Sequence, residues 1–407
     1  MNSKSKYAIL LISSVLVIYA IIGGMLGRVS AQNGSYQQLS VFTDVLQKIQ
    51  AEYVDTPDMK AVLTGAVRGL LESVDPAGGY LTPKEVAFYK DYNPVKTPGI
   101  GAVILRRGGY PVILSVIPGG PAAKASLGTG DVIESIESVT TREMNIVQVN
   151  ALLATPAGKP VNLSVIRRRK AEPETVTLNR EPMQVPPVEA KIVDTNVAYL
   201  RVPFLGPGKA LETRKQLETL LKKNVAGIVL DLRGTAGGEE KEAAQLANLF
   251  MDSGVITTLQ GQKFEKEVLN ANPKDAITKL PVVALVNQGT AGAAEIVAGA
   301  LGDSKRAQLV GTKTFGFAAR QKLLPLDDGS ALLLSVAKYY TPAGTEIQES
   351  GIKPTVEVLP QSEELFNPDD DTEVVQPSKA PTAEEDRQLK KAIEILKDPS
   401  KAIKKAA

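Results

Sequence analysis

Between residues 187 and 359, apolar runs alternate with amphipathic segments, and this alternation restricts the fold more than any other feature of the sequence. The runs VAGIVLDLRG and LPVVALVN are nearly continuous in apolar residues, which is typical of parallel strands buried on both faces. The segments ETRKQLETLLKK, EKEAAQLANLFM and AAEIVAGALGD have the composition and spacing of helices. Strands that alternate with helices predict an α/β core with a largely parallel sheet.

Two glycine-rich turns follow these two strands, GTAGG at 234–238 and GTAGAA at 289–294. Active sites of open α/β sheets gather at the carboxyl ends of the strands, so both turns should lie at the same edge. A turn that starts a helix presents free backbone N–H groups, which can stabilise an oxyanion or bind a carboxylate. Tight strand-to-helix turns also need glycine for backbone reasons alone, so the turns by themselves leave both interpretations open.

The composition excludes several kinds of active site. The chain has 407 residues, with no cysteine and no histidine. Thiolate catalysis, disulfides, a Ser-His-Asp triad and histidine-ligated metals are therefore excluded. The sequence has no EF-hand loop and no GxxxxGK[ST] loop, and we expect no cofactor and no metal. Because 47 basic residues nearly balance 45 acidic residues, the bulk charge does not favour a nucleic-acid partner.

Residues 1–31 have the features of an export signal. Lys4 and Lys6 precede an apolar run at 7–26, and a run of about 20 residues is long enough to span a bilayer. The positive-inside rule predicts an extracytoplasmic protein, in the periplasm or cell envelope, anchored to the inner membrane by residues 7–26. Val29-Ser30-Ala31 resembles a small-residue cleavage site, so a cleaved signal peptide is the alternative to an uncleaved anchor.

The rest of the chain divides into four further regions that differ in composition and hydrophobic pattern. Residues 36–95 contain two amphipathic helices, and their simplest role is packing. Residues 96–183 alternate short strands with glycine turns, which predicts a small β-rich binding module. Residues 360–383 are acidic and contain proline, as in flexible linkers. Residues 384–407 hold one amphipathic helix and a short basic remainder, for docking or oligomer contact.

Within residues 96–183, the order GIGAVI, SVIPGGPAAKASLGTGDVIESI and VNLSVIRR resembles a PDZ domain. In that family, a glycine loop donates backbone N–H groups to the C-terminal carboxylate of a peptide, which adds to a strand edge. The resemblance implies that polypeptide C-termini or unfolded protein segments bind here. The matching positions are Gly99, Ile100, Gly101, Ala102 and Val103.

Together, the PDZ-like region and the core at 187–359 resemble the carboxyl-terminal processing proteases, also called tail-specific proteases. The segments that carry this resemblance are VAGIVLDLRGTAGG, GTAGAAEIVAGALGDSKRAQLVGTKTFGFAARQ and SVAKYYTPAGTEIQESGIKPTVEV. The resemblance implies an α+β multidomain protein with N-terminal helices, a PDZ-like domain, a crotonase-like α/β core and a C-terminal helix. It also implies export, and cleavage of polypeptides near their C-termini by a Ser-Lys dyad assisted by a glutamine.

The reactive residues of that family are absent at the matching positions. The family's nucleophile turn reads G-S-A-S-A-S-E-I, and this chain reads G-T-A-G-A-A-E-I, which places Gly292 at the position of the serine. Phe317 stands where the family has its lysine, while Gln321 stands at the position of the assisting glutamine. The candidate oxyanion-hole donors that remain are Gly237, Gly238 and Ala293.

These matches lead to three hypotheses. The first is an inactive homologue, or pseudoprotease, that binds polypeptides or co-assembles with an active paralogue or another copy of itself. The second is a serine-type-like peptidase with a relocated dyad, formed by Thr290 and Lys313. The third is a structural scaffold whose groove binds nothing. Asp231 and Arg233 persist from the family pattern, and we expect a buried ion pair between them.

Overall fold

The computed structural model describes residues 34–155, 158–168, 170, 172–183, 185–360 and 386–398, with side chains from residue 39 onward. The chain divides into two compact units, residues 1–67 and 68–407. The apolar run, the cleavage motif and all but one residue of the proposed linker lie outside the described residues. Within the described ranges, no helix has both the length and the apolar character needed to cross a bilayer.

The described part of the first unit consists of helix α1 (Gly34–Glu52) and the first half of helix α2 (Met59–Val74). The turn between them is closed by Asp58, whose Oδ1 accepts hydrogen bonds from the backbone N–H groups of Lys60 and Ala61. This arrangement is an N-cap. The prediction of N-terminal helices is confirmed, but no side chain between residues 39 and 74 is fully buried.

A short segment then leads into the PDZ-like part of the second unit. Most of this part is one antiparallel sheet with the strand order β3-β4-β5-β7-β8, to which β6 is added beside β5. Apolar residues from alternate strand positions, such as Ile113, Ile133 and Leu163, form its core with helix α5. The elements are β1 (Gly79–Leu81), α3 (Pro83–Asp91), β2 (Pro98–Gly99), β3 (Ala102–Arg107), β4 (Tyr110–Val116), α4 (Pro121–Lys124), β5 (Val132–Ile136), β6 (Val139–Thr140), α5 (Ile146–Ala154), β7 (Pro160–Ile166), β8 (Pro173–Asn179) and β9 (Glu181–Pro182).

The core contains the predicted sheet, with the strand order β10-β11-β12-β15-β16-β19. All neighbouring strands are parallel except the edge pair of β10 and β11. Helices α6, α7 and α8 cover one face, and α9 covers the other. The elements are β10 (Glu189–Val193), β11 (Val197–Arg201), α6 (Lys209–Leu221), β12 (Gly227–Asp231), α7 (Glu240–Asn248), β15 (Val282–Val286), α8 (Ala293–Asp303), β16 (Ala307–Gly311), β19 (Val356–Glu357) and α9 (Arg387–Lys397).

A second, antiparallel sheet, which the local sequence pattern does not predict, completes the core. Its order is β1-β18-β13-β14, with β17 also paired to β18. Strand β1 comes from the segment before the PDZ-like part and pairs with β18 far along the chain. Such a pairing leaves no local signal in the sequence. The strands are β13 (Val255–Gln260), β14 (Glu267–Asn270), β17 (Ala319–Pro325) and β18 (Ala331–Tyr340).

The expected ion pair between Asp231 and Arg233 is confirmed, and it extends to the C-terminal helix. Nη2 of Arg233 lies 2.6 Å from Oδ2 of Asp231 and 2.7 Å from Oδ2 of Asp386. Asp386 is also the N-cap of α9. Burial alone would raise the pKa of Asp231, but the Arg233 guanidinium keeps that pKa below its ordinary value. The network therefore ties α9 to the end of β12, immediately before the turn at 234–238.

Candidate active site

The turn after β15 ends at Gly292, the N-cap of α8, with φ of 65° and ψ of −122°. A positive φ is strained for every residue except glycine. A Cβ atom built on Gly292 would nevertheless lie 3.7 Å from the carbonyl oxygen of Phe317 and 3.8 Å from the backbone nitrogen of Gly237, which are ordinary contact distances. A strained turn between a strand and a helix is how α/β-hydrolases expose a nucleophile. The backbone thus has the form of a nucleophile turn, with room for a side chain.

Glu295 fixes this turn against the segment 314–317. Its side chain is fully buried, and its carboxylate accepts hydrogen bonds from the backbone N–H groups of Gly292 (3.1 Å), Gly316 (2.7 Å) and Phe317 (2.8 Å). The Thr314 hydroxyl donates a fourth. Burial raises the pKa of the Glu295 carboxyl above its ordinary value, and the four donors oppose that rise. One buried carboxylate therefore holds positions 292 and 317 beside each other.

A cleft with a cavity volume of about 170 Å³ opens at this point. The turn at 234–238 forms one wall, where Gly237 and Gly238 have positive φ. A Cβ atom on Gly238 would lie 2.5 Å from the carbonyl oxygen of Leu205, so only glycine fits there. In the described part of the chain, the N–H groups of Gly237 and Ala293 donate to no acceptor. Both line the cleft, where a bound carbonyl or carboxylate oxygen could accept from them.

The remaining lining is apolar apart from Glu240 and Tyr339, neither of which was predicted as a site residue. Glu240 Oε2 accepts hydrogen bonds from Arg320 (2.5 Å) and from the Tyr339 hydroxyl (2.6 Å). Burial raises the pKa of Tyr339 well above its ordinary value, and the adjacent Glu240 carboxylate raises it further. Glu240 lies only two residues beyond Gly238, and this closeness to the glycine turn was the sequence signal that could have identified it. Tyr339 and Arg320 come from β18 and β17, whose pairing was not predictable from local sequence.

Thr290 and Lys313, which the second hypothesis pairs as a relocated dyad, differ in their exposure to solvent. Thr290 is fully buried. Its hydroxyl donates to the carbonyl oxygen of Leu232 (2.8 Å) and accepts from the backbone N–H of Asn287 (3.0 Å). Lys313 is exposed. The threonine hydroxyl is thus already engaged within the turn, and the lysine ammonium is solvated.

Gln321 does not belong to the lining of the cleft. Its Nε2 donates to the carbonyl oxygen of Ala77, at 2.8 Å. Asp75, in the same loop as Ala77, accepts a hydrogen bond from the backbone N–H of Ser335 at 2.7 Å. Gln321 therefore connects β17 to the loop at 75–78. It does not line the cleft, whereas Gly292 and Phe317 do.

The proposed peptide-binding segment at 99–103 is held by α4 and its preceding turn. The carbonyl oxygen of Ile100 accepts from the backbone N–H of Ala122, and that of Gly101 accepts from Ile117, both at 2.8 Å. Gly101 has φ of 71°. The segment leads into β3, which among the described strands pairs with β4 alone, so its other side could take an added peptide strand.

Strand β3 also forms part of the cleft. Ile104 points into the PDZ-like core, whereas Val103 and Leu105 line the cleft together with Gly292 and Phe317. The same two side chains pack against Leu114, Ala236 and Ala291. Because side chains alternate along a strand, one short segment of β3 serves both the PDZ-like core and the cleft.

Comparison with known proteins identifies the sequence families that the chain matches. The sequence model of peptidase family S41 matches residues 196–358, and that of the PDZ domain matches residues 112–167. The chain is 32% identical over 334 residues to the carboxy-terminal processing protease CtpA of Bacillus subtilis, covering 82% of this chain and 71% of that protein. It is 30% identical over 333 residues to the carboxy-terminal-processing protease of Bartonella bacilliformis, covering 80% and 76% respectively.

A solved structure shows the same fold. The photosystem II D1 C-terminal processing protease aligns with a TM-score of 0.68 and 29% sequence identity, covering 78% of this chain and 86% of that one. Together with the PDZ-domain match at residues 112–167, this alignment confirms the α+β multidomain fold.

Proposed function

The chain belongs to the carboxy-terminal processing proteases of peptidase family S41, and from this premise we propose that it binds polypeptides without hydrolysing them. The observation that carries the proposal is Gly292. This residue occupies a strained turn of the kind that presents a nucleophile, beside free N–H groups, and has no side chain. The backbone of the nucleophile turn is therefore present, but the nucleophilic side chain is absent.

The chemistry of a Ser-Lys dyad cannot proceed with the groups at these positions. The serine hydroxyl supplies the attacking oxygen, and a lysine with a lowered pKa accepts its proton. Gly292 has no oxygen and Phe317 has no ionisable group. In serine proteases, loss of the nucleophile alone reduces kcat by on the order of 10⁶. The environments of Thr290 and Lys313 support the same conclusion, because a buried hydroxyl that donates to a carbonyl is not free to attack.

The retained groups suit binding instead. A polypeptide C-terminus would be held at residues 99–103, and its preceding residues would add to the free edge of β3. An extended segment in the cleft would place a carbonyl oxygen near the N–H groups of Gly237 and Ala293. The bound chain would belong to a partner protein, an active paralogue or a second copy. The proposed location is extracytoplasmic, at the inner membrane, supported by Lys4, Lys6 and the apolar run at 7–26.

The purified protein is expected to show no turnover of an unfolded polypeptide above the rate in buffer. Thr290→Ala should leave that result unchanged, since the hydroxyl has only a structural role. Mass spectrometry of the incubated polypeptide is the measurement, because it detects any new terminus. Hydrolysis by the wild type that disappears in Thr290→Ala would establish a relocated nucleophile and refute the proposal.

Binding of a C-terminus is expected to depend on Gly101. Gly101→Asp places a carboxylate beside the bound carboxylate, and its Cβ would meet Cδ of Pro121 at 3.2 Å, so affinity should fall by about tenfold or more. Gly108→Asp is the matched control, because Gly108 also has positive φ but has no neighbour within 4 Å of a Cβ. Titration of a labelled peptide by fluorescence anisotropy measures both. The scaffold hypothesis would be favoured if both variants bound the peptide with the same affinity and if the wild type bound an amidated peptide as well as one with a free carboxylate.

A further inference from the structure

The cleft beside Gly292 has one charged side chain in its lining, that of Glu240. The other described residues that line it are glycines, apolar residues and Tyr339. The cavity volume of about 170 Å³ lies below the roughly 300–1,000 Å³ of pockets that hold drug-sized ligands. The cleft is therefore of a size for one side chain of a bound polypeptide, and that side chain would meet the Glu240 carboxylate.

The two carboxylate oxygens of Glu240 have different surroundings. Oε2 accepts both the hydrogen bond from Arg320 and the hydrogen bond from the Tyr339 hydroxyl. Within the ranges that the structure describes, Oε1 accepts from no donor. Because Glu240 lines the cleft and its side chain is 21% exposed, Oε1 is an acceptor that a bound donor can use.

Tyr339 does not offer a competing donor. Its hydroxyl has a single proton, which it donates to Glu240 at 2.6 Å. Burial and the adjacent carboxylate raise the pKa of Tyr339 above its ordinary value, so the phenol keeps this proton. The polar end of the cleft thus presents an acceptor to a ligand, and the matching ligand group is a donor.

The charges around Glu240 favour a cationic donor. Arg320 is shared between two carboxylates, since its Nη2 pairs with Glu240 and its Nη1 lies 3.1 Å from Oε2 of Glu267. The same guanidinium lies over the ring of Phe264, 5.2 Å from its centroid, and is therefore held in place. Two acidic groups and one basic group leave one negative charge uncompensated. In a cleft with apolar walls such a charge is costly unless a cation pairs with it.

The number of free acceptor atoms distinguishes lysine from arginine as the source of that cation. The planar guanidinium of arginine pairs best with two oxygens at once, whereas the lysine ammonium is a compact point charge. Of the two Glu240 oxygens, Oε2 is already occupied by Arg320 and Tyr339. A lysine also has a methylene stem that can lie along apolar surface while its charged end reaches a polar group. Leu105, Ile296 and Ala318 supply such a surface in the lining.

We propose that the cleft selects polypeptide segments that present a lysine side chain, with the ammonium on Oε1 of Glu240 and the methylene stem along the apolar lining. This inference rests on the proposed function, because it names the kind of polypeptide that the cleft binds. Glu240 is then the residue that determines specificity, while the N–H groups of Gly237 and Ala293 hold a backbone carbonyl of the same segment.

Peptides blocked at both ends test the proposal with the full-length protein. Acetylated and amidated termini remove the carboxylate that would bind at residues 99–103 and the amine that would compete for Glu240. The probe is an unstructured peptide of glycine, serine and alanine with one central lysine, and its counterparts have arginine, glutamine or norleucine there. NMR chemical-shift titration of the isotope-labelled peptides measures their affinities. The lysine peptide should bind about tenfold or more tightly than the norleucine and glutamine peptides, because only it gains a charged hydrogen bond without the second oxygen that arginine needs.

Glu240→Gln removes the charge while keeping the length of the side chain and an acceptor for the Tyr339 hydroxyl. In this variant the preference for lysine over norleucine should fall to about twofold or less. Glu267→Gln is the matched control, because it removes a negative charge from the same Arg320 but lies outside the cleft lining, and it should keep the preference. The quantity compared is the ratio of the two affinities within each variant, which a uniform loss of binding does not change.

The outcomes separate this inference from the proposed function on which it rests. If the wild type bound the lysine and norleucine peptides equally well, the inference would be overturned while polypeptide binding in the cleft stood. A lysine preference that survives Glu240→Gln, or one that is lost equally in Glu267→Gln, would also overturn it. If the wild type bound none of the blocked peptides, polypeptide binding in the cleft would be refuted, and the inference with it.

Discussion

The double substitution Gly292→Ser/Phe317→Lys is expected to give the chain peptidase activity that neither single substitution gives. The backbone at 292 already has the strained strand-to-helix geometry, and a Cβ there meets no atom closer than 3.7 Å. The cleft around position 317 is largely apolar, so desolvation would lower the pKa of a lysine there and let it act as a base. The free N–H groups of Gly237 and Ala293 would stabilise the oxyanion.

The expected gain is large because the absent groups are the reacting ones. Loss of a nucleophile costs on the order of 10⁶ in kcat, so even a poorly aligned dyad should exceed the wild type by about 10³-fold. The measurement is release of a fluorophore from an unstructured peptide substrate. The matched control is Gly234→Ser/Phe317→Lys, because Gly234 is a positive-φ glycine with open space around it but does not line the cleft. A folded double variant that binds peptide and shows no turnover would mean that the cleft has changed beyond these two positions.

The sequence predicts those parts of the site whose residues are close to one another along the chain. The two glycine turns and the strands before them form short continuous segments, and their positions at one edge of the sheet follow from parallel topology. Asp231 and Arg233 are two residues apart, so their ion pair also has a local signal. The exchange of serine and lysine for Gly292 and Phe317 became visible through resemblance to a family, whose nucleophile turn ends in the same Glu-Ile pair that this chain has at Glu295 and Ile296.

The parts that sequence reasoning missed depend on contacts between distant segments. Tyr339 and Arg320 meet Glu240 only because β17 and β18 pair with each other and fold over α7. Gln321 was assigned to the site from its position four residues after Phe317. A β-bulge interrupts the pairing of β17 with β18 between Arg320 and Gln321, and the glutamine amide contacts the loop at 75–78 instead. The wall formed by Val103 depends on how the PDZ-like part packs on the core.

Glu295 is expected to be the residue on which the cleft most depends. Glu295→Ala would leave three backbone N–H groups and the Thr314 hydroxyl without their acceptor, around a side chain that has no exposed surface. An unsatisfied buried donor costs about 1–3 kcal/mol, so the free energy of unfolding should fall by about 4 kcal/mol or more. Glu295→Gln keeps the shape but turns an amide N–H₂ toward donors, and should cost about 2–3 kcal/mol. Urea unfolding followed by circular dichroism measures both.

The matched control for Glu295→Gln is Glu242→Gln. Glu242 is also buried, and it accepts hydrogen bonds from the backbone N–H groups of Gly208 and Ala210 at 2.7 and 2.8 Å. It lies outside the cleft, so its substitution should reduce stability without changing the site. In the Gly292→Ser/Phe317→Lys background, Glu295→Gln should abolish the acquired proteolysis while Glu242→Gln retains it. Equal losses of activity for equal losses of stability would show that Glu295 acts only on the fold. Unequal losses would show that this carboxylate positions residues 292 and 317.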